Sequence, residues 1–102
     1  MYLHTVMMAF NKEITGALRA QIDAYFNDIP SQCDGIERFD FVDNMSLTSK
    51  GYTHALVSVF TSEKALDAYR ISAAHDQLMT ELTPHLKEIL VLDSDLSVRS
   101  SI

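Results

Sequence analysis

The chain has 102 residues, 47% apolar and 22% charged, the balance of one ordinary globular domain spanning 1–102. A net charge of -6, with eight basic residues that do not cluster, excludes a non-specific nucleic-acid surface, which needs grouped Lys and Arg against phosphate. The single Cys33 rules out an internal disulfide, no apolar run approaches the ~20 residues that span a bilayer, and Met1 to Phe10 lacks a basic leader region, so a cytoplasmic protein without membrane or nucleic-acid partners is expected.

Tyr2 to Phe10 alternates as Tyr2, His4, Val6, Met8, Phe10 against Leu3, Thr5, Met7, Ala9, which predicts a strand apolar on both sides. Ile14, Leu18, Ile22, Phe26 and Ile29 recur at helical spacing, predicting an amphipathic helix that ends near Pro30, with Asn11 and Thr15 as alternative N-caps. After a turn over Ser31 to Gly35, a second strand runs from Ile36 to Met45, with Phe39 and Phe41 on one face and Ile36 and Val42 on the other. The polar stretch Asn44 to Gly51 reads as a hairpin loop into a third strand, Tyr52 to Phe60.

Ser62 with Glu63 behind it opens a second helix carrying Ala65, Leu66 and Tyr69, continued by Leu78, Met79 and Leu82 before Pro84. A last strand over Ile89 to Leu92 trails into a polar tail from Ser94 to Ile102. The order β-α-β-β-α-β is that of a ferredoxin-like α+β fold, in which helices cover one face of a four-stranded antiparallel sheet. Here the third and fourth strands are apolar on both sides, and such strands are covered on both faces. A homodimer with the sheets face to face is the simplest cover.

Three stretches resemble the stress-responsive α/β-barrel family, also called the dimeric α/β-barrel domain: His4 to Phe10, the Gly51-Tyr52-Thr53-His54 strand, and the helix from Tyr69 to His75. The resemblance covers nearly the whole chain and includes the final aliphatic strand ending in Asp93. It implies a dimeric barrel whose role is binding or structural. A plant polyketide cyclase of that family drives a cofactor-free aldol cyclisation with a Tyr and a His, which correspond to Tyr69 and His75, and two further pocket histidines correspond to His4 and His54. The resemblance therefore also implies a cyclase or aldolase-like alternative, and shared architecture adds a cofactor-independent monooxygenase as a third reading.

In chemical terms a His base near neutrality could take a proton next to a carbonyl while a Tyr hydroxyl supports the resulting oxyanion. His75 and Tyr69 are the candidate catalytic pair, His4, His54 and Phe26 the candidate substrate-binding residues, and a small apolar carbonyl compound the candidate ligand. Six residues on an unbroken helix put Tyr69 and His75 about 120° apart around the axis, so the pair needs a break between them or a pocket wide enough for both. Where relatives often read H-P-A-H, this chain has Ser72-Ala73-Ala74-His75, and without the Pro the helix is expected to run on. The plainer reading packs His75 on the stripe with Leu78, Met79 and Leu82, and His4 and His54 as hydrogen-bonded strand residues. No His pair has zinc-site spacing, His85 reads as an exposed helix end, and the three glycines form no phosphate loop, so neither metal nor cofactor is expected.

Overall fold

The structure, a computed structural model, describes residues 1–98. Its elements are β1 (Tyr2–Phe10), α1 (Gly16–Asn27), α2 (Ile29–Gln32), β2 (Ile36–Asp43), β3 (His54–Phe60), α3 (Glu63–Arg70), α4 (Ala73–Leu82), a 3-10 turn (Thr83–His85) and β4 (Leu86–Asp95). The strands form one antiparallel sheet in the order β2-β3-β1-β4, the ferredoxin-like α+β arrangement expected from the pattern. No described helix is long and apolar enough to cross a membrane.

Local chemistry explains the element ends. Thr15 caps α1 by accepting from the Leu18 amide at 3.3 Å, which settles the N-cap in its favour over Asn11. The first helix stops at Asn27, and Pro30 sits in the first turn of the short α2, where its missing N–H costs nothing. The expected turn after Pro30 is thus half helix. Ser62 caps α3 through the Ala65 amide at 3.1 Å, with Glu63 in the first turn and Arg70 in the last, both suited to the helix dipole.

Four strand expectations need correction. β2 ends at Asp43 and β3 starts at His54, because Asn44 takes the Thr53 carbonyl and its side chain the Tyr52 carbonyl, closing the loop before a ladder can begin. Ile36 belongs to the same face as Phe39 and Phe41: Ile36 pairs with Phe60 and Arg38 with Val59, so Glu37 is a bulge that flips the alternation. β4 is longer than Ile89 to Leu92 and takes in Ser94 and Asp95 from the expected polar tail, since Glu88 to Asp95 pair with β1 without a break. The remainder of that tail from residue 99 lies outside the described residues.

Even-numbered residues of β1 and β3 face the helices. Met8, Leu56 and Phe60 join Ile22 and Phe26 of α1, Leu66 and Tyr69 of α3, and Leu78 and Leu82 of α4 in one buried cluster. The odd-numbered face, with Leu3, Met7, Val57 and Val59 beside Leu90 and Leu92 of β4, carries no described element. β4 is open on both sides: Leu90 and Leu92 are 58% and 54% exposed on the bare face, and Ile89 and Val91 are 43% and 46% exposed on the helix side. The helices cover the sheet from β2 to β1 and leave this edge uncovered.

Gly35 enters β2 at φ +78°, and a Cβ there would lie 2.6 Å from the Ala65 Cβ and 2.8 Å from the Thr61 Oγ1. Its carbonyl also accepts from the Thr61 amide at 2.8 Å, so the backbone cannot simply move aside. Gly35→Ala adds left-handed backbone strain to overpacking against α3. It is expected to cost about 2–5 kcal/mol, read as a lower urea midpoint at unchanged slope.

Candidate functional site

Ser72 creates the break between Tyr69 and His75. Its hydroxyl donates to the Tyr69 carbonyl at 2.7 Å, at the end of α3, and accepts from the His75 amide at 3.1 Å, capping α4. The expectation that loss of Pro lets the helix run on is therefore wrong: a serine cap supplies the stop instead. The new helix turns His75 back, and the Tyr69 and His75 rings meet edge to face at 4.9 Å between centroids.

β1 brings a third member. His4 is 7% exposed, faces the helices, and lies edge-on to Tyr69 at 6.1 Å. These three rings, with Phe26, wall an apolar cavity of about 180 Å³ between sheet and helices. Val6 and Leu56 form its floor, and the half-exposed Ile89 and Val91 bring it to the open β4 edge. An apolar void of about 150 Å³ is already large enough for benzene, so this one fits a single ring. A larger void of about 480 Å³ lies outside α3 between the turn into β2 and the Ser62 cap, meets the cavity only at Tyr69, and holds none of the histidines.

His54 stands elsewhere. It pairs with Met8 at one end of the ladder while His4 pairs with Ser58 near the other, so antiparallel pairing separates the two histidines. Both His54 nitrogens are engaged: Nδ1 with the Thr53 hydroxyl at 2.7 Å and Nε2 with Asp43 at 3.3 Å. Its ring stacks on Phe41 at 5.3 Å, and the Arg19 guanidinium covers that phenyl at 4.9 Å while bonding Asp43. His54 thus fastens an aromatic stack of Phe26, Phe41 and itself, and is not part of the cavity wall.

Electrostatics sort the groups that remain. Burial pushes the Tyr69 hydroxyl well above its ordinary range, so it is a protonated donor at neutral pH. Burial also lowers His75 below the usual imidazole value, against the opposing pull of Asp76, which leaves it neutral. The His4 Nδ1 bonds Asp93 at 2.5 Å, and the second oxygen of that carboxylate takes the Arg70 guanidinium at 2.5 Å. Asp93 and Arg70 were not candidates from the sequence. Arg70 drew no reading there, and Asp93 only its position at the end of the final strand.

Among the described residues no buried side-chain nitrogen or oxygen lacks a partner. The Nε2 of His4 makes no hydrogen bond there, so it keeps an opening, and the void His4 lines is this cavity. Cys33 is half-buried, accessible from the outer void, and its Sγ lies 3.8 Å from the Ser72 hydroxyl. His85 is half-buried rather than exposed, and its carbonyl accepts from the Asn11 amide at 2.9 Å. No three His, Cys, Asp or Glu side chains among the described residues are placed to share a metal ion.

The family model described as the stress responsive A/B barrel domain matches residues 3–96. Among solved structures, a protein from Arabidopsis thaliana is 20% identical with a TM-score of 0.85, covering 99% of this chain and 100% of that one. A hydroxynitrile lyase from Passiflora edulis is 18% identical at 0.79, over 91% of this chain and 90% of its own. A dimeric ferredoxin-like protein of unknown function from Jannaschia sp. is 24% identical at 0.78, over 93% and 98%. At these identities the likeness establishes the fold. No curated protein matches the sequence.

Proposed function

The chain belongs to the stress-responsive A/B barrel domain family, and from that premise we propose that it is a homodimeric binding protein for a small apolar carbonyl compound. The observation that carries this reading is the cavity itself: an apolar, ring-sized space with Tyr69 and two histidines on its wall. Apolar lining with a few convergent polar groups is the usual make-up of a small-molecule site. The dimer forms through the bare sheet face, which supplies the missing cover for Leu90 and Leu92. Dimeric relatives of the same fold support that part.

A cofactor-free proton-transfer enzyme is the second reading. It is favoured by the edge-to-face contact of Tyr69 and His75, which sets a protonated donor beside a neutral imidazole. The hydroxynitrile lyase among the similar structures shows that this fold carries catalysis on small molecules in at least one protein. The monooxygenase reading rests on fold alone and gains no residue of its own.

A thermal-shift screen of single-ring aromatic aldehydes, ketones and β-dicarbonyl compounds tests the binding reading. A ligand present at 100 times its Kd is expected to add about 2.7 kcal/mol to the native state, a readily measured rise in Tm. His75→Ala should reduce that rise. Equal shifts in both proteins would remove His75 from the site.

A further inference from the structure

We propose that His4, and not His75, is the proton-accepting group of the cavity, and that Asp93 and Arg70 are its positioning residues. The inference rests on the small-carbonyl reading above and assigns the base within it.

A neutral imidazole carries one proton, on one of two nitrogens, and the partner of that nitrogen decides which. In His4, Nδ1 faces the Asp93 carboxylate, which only accepts, so the proton sits on Nδ1 and the Nε2 lone pair opens on the cavity. A carboxylate behind the ring also supports the charge that appears when Nε2 takes a second proton. Asp93 is itself fixed from behind by Arg70, whose other nitrogen bonds Asp67 at 2.9 Å within the same helix. On the strand side, the His4 carbonyl accepts from the fully buried Ser58 hydroxyl at 2.6 Å, which holds the backbone under the ring. The arrangement runs from a half-exposed Arg70 through Asp93 to a buried imidazole.

His75 has none of this support. No carboxylate bonds its ring among the described residues, and burial, with His4 and Arg70, disfavours a positive charge on it against the opposing pull of Asp76. In the proposed step a C–H bond next to the ligand's carbonyl breaks, and its proton goes to the Nε2 of His4. The electron pair moves onto the carbonyl oxygen, which the Tyr69 hydroxyl stabilises as a hydrogen-bond donor. Return of the proton restores the ligand, so the simplest balanced activity is exchange of that hydrogen with solvent.

Two measurements test this on the intact protein. Imidazole 15N spectra of the wild type are expected to show His4 protonated at Nδ1 and bare at Nε2, with Asp93→Asn disturbing that state and Arg70→Gln loosening it. Deuterium exchange into the methyl group of acetophenone is expected to fall about 100-fold or more in both His4→Gln and Asp93→Asn, and less in His75→Gln. A His4 protonated at Nε2 in the wild type, or exchange lost in His75→Gln but kept in His4→Gln, would overturn the assignment. A wild type that binds acetophenone in the thermal-shift assay yet exchanges no deuterium would also overturn it, while leaving the binding reading intact. If no compound binds, the binding reading fails, and the 15N spectra still decide whether Asp93 sets the tautomer of His4.

Discussion

Leu90→Asp is expected to turn a dimer into a folded monomer. Leu90 is 58% exposed on the bare face of β4, so a carboxylate there stays hydrated in the isolated subunit and costs little stability. It lies in a row with Val42, Ala55 and Met7, the most continuously apolar line across that face. A two-fold axis makes each substitution count twice. Losing two buried leucine side chains removes about 3–6 kcal/mol, which weakens association about 10²- to 10⁴-fold even before the charges are desolvated. Light scattering at micromolar concentration should give twice the chain mass for the wild type and the single mass for the variant, with matching far-ultraviolet circular dichroism. A wild-type monomer at that concentration would remove the dimer outright.

Phe60→Ala is the substitution expected to cost the fold most. Phe60 is 0% exposed at the end of β3 and packs against Tyr69 at 5.3 Å and His4 at 6.5 Å between ring centroids. Its removal should lower stability by about 3–5 kcal/mol, because the sheet and α3 close only partly over the gap. For a domain of this size each kcal/mol moves Tm by about 4–8 °C, so the melting temperature should fall by more than 10 °C. The loss reaches the site as well, since Phe60 is the surface on which both rings rest. The variant should bind a ring-sized ligand more weakly at temperatures where it remains folded. A Tm within a few degrees of the wild type would mean that the core around Tyr69 is looser than the contacts imply.

The order of elements was readable because period-2 and period-3.6 patterns were strong from Tyr2 to Phe60 and again at the last strand. Two-sided apolarity in β4 also survived translation into structure, as an edge open on both faces. What the pattern missed was local chemistry with two uses. Ser72 ends one helix and starts the next through a single hydroxyl, a stop that looked like continuation once Pro was absent. Glu37 as a bulge moved Ile36 across the sheet, and no residue type marks such an insertion.

Within the site, Tyr69, His75, His4 and Phe26 were nameable from the sequence, and they line one cavity. His54 was named on the same grounds and belongs to another cluster, because strand register decides which histidines meet. Asp93 and Arg70 could not be paired with His4 in advance. The contact joins residues 89 positions apart and exists only through the pairing of β1 with β4.

The occupancy of the cavity is the claim on which the rest depends, and side-chain NMR during titration with the compounds that raise Tm tests it most directly. Resonances of His4, Tyr69 and His75 are expected to move together and saturate with one Kd, while His54, held by Thr53 and Asp43 outside the cavity, stays still. Shifts confined to His54, or to the outer void around Cys33 and Ser62, would contradict it.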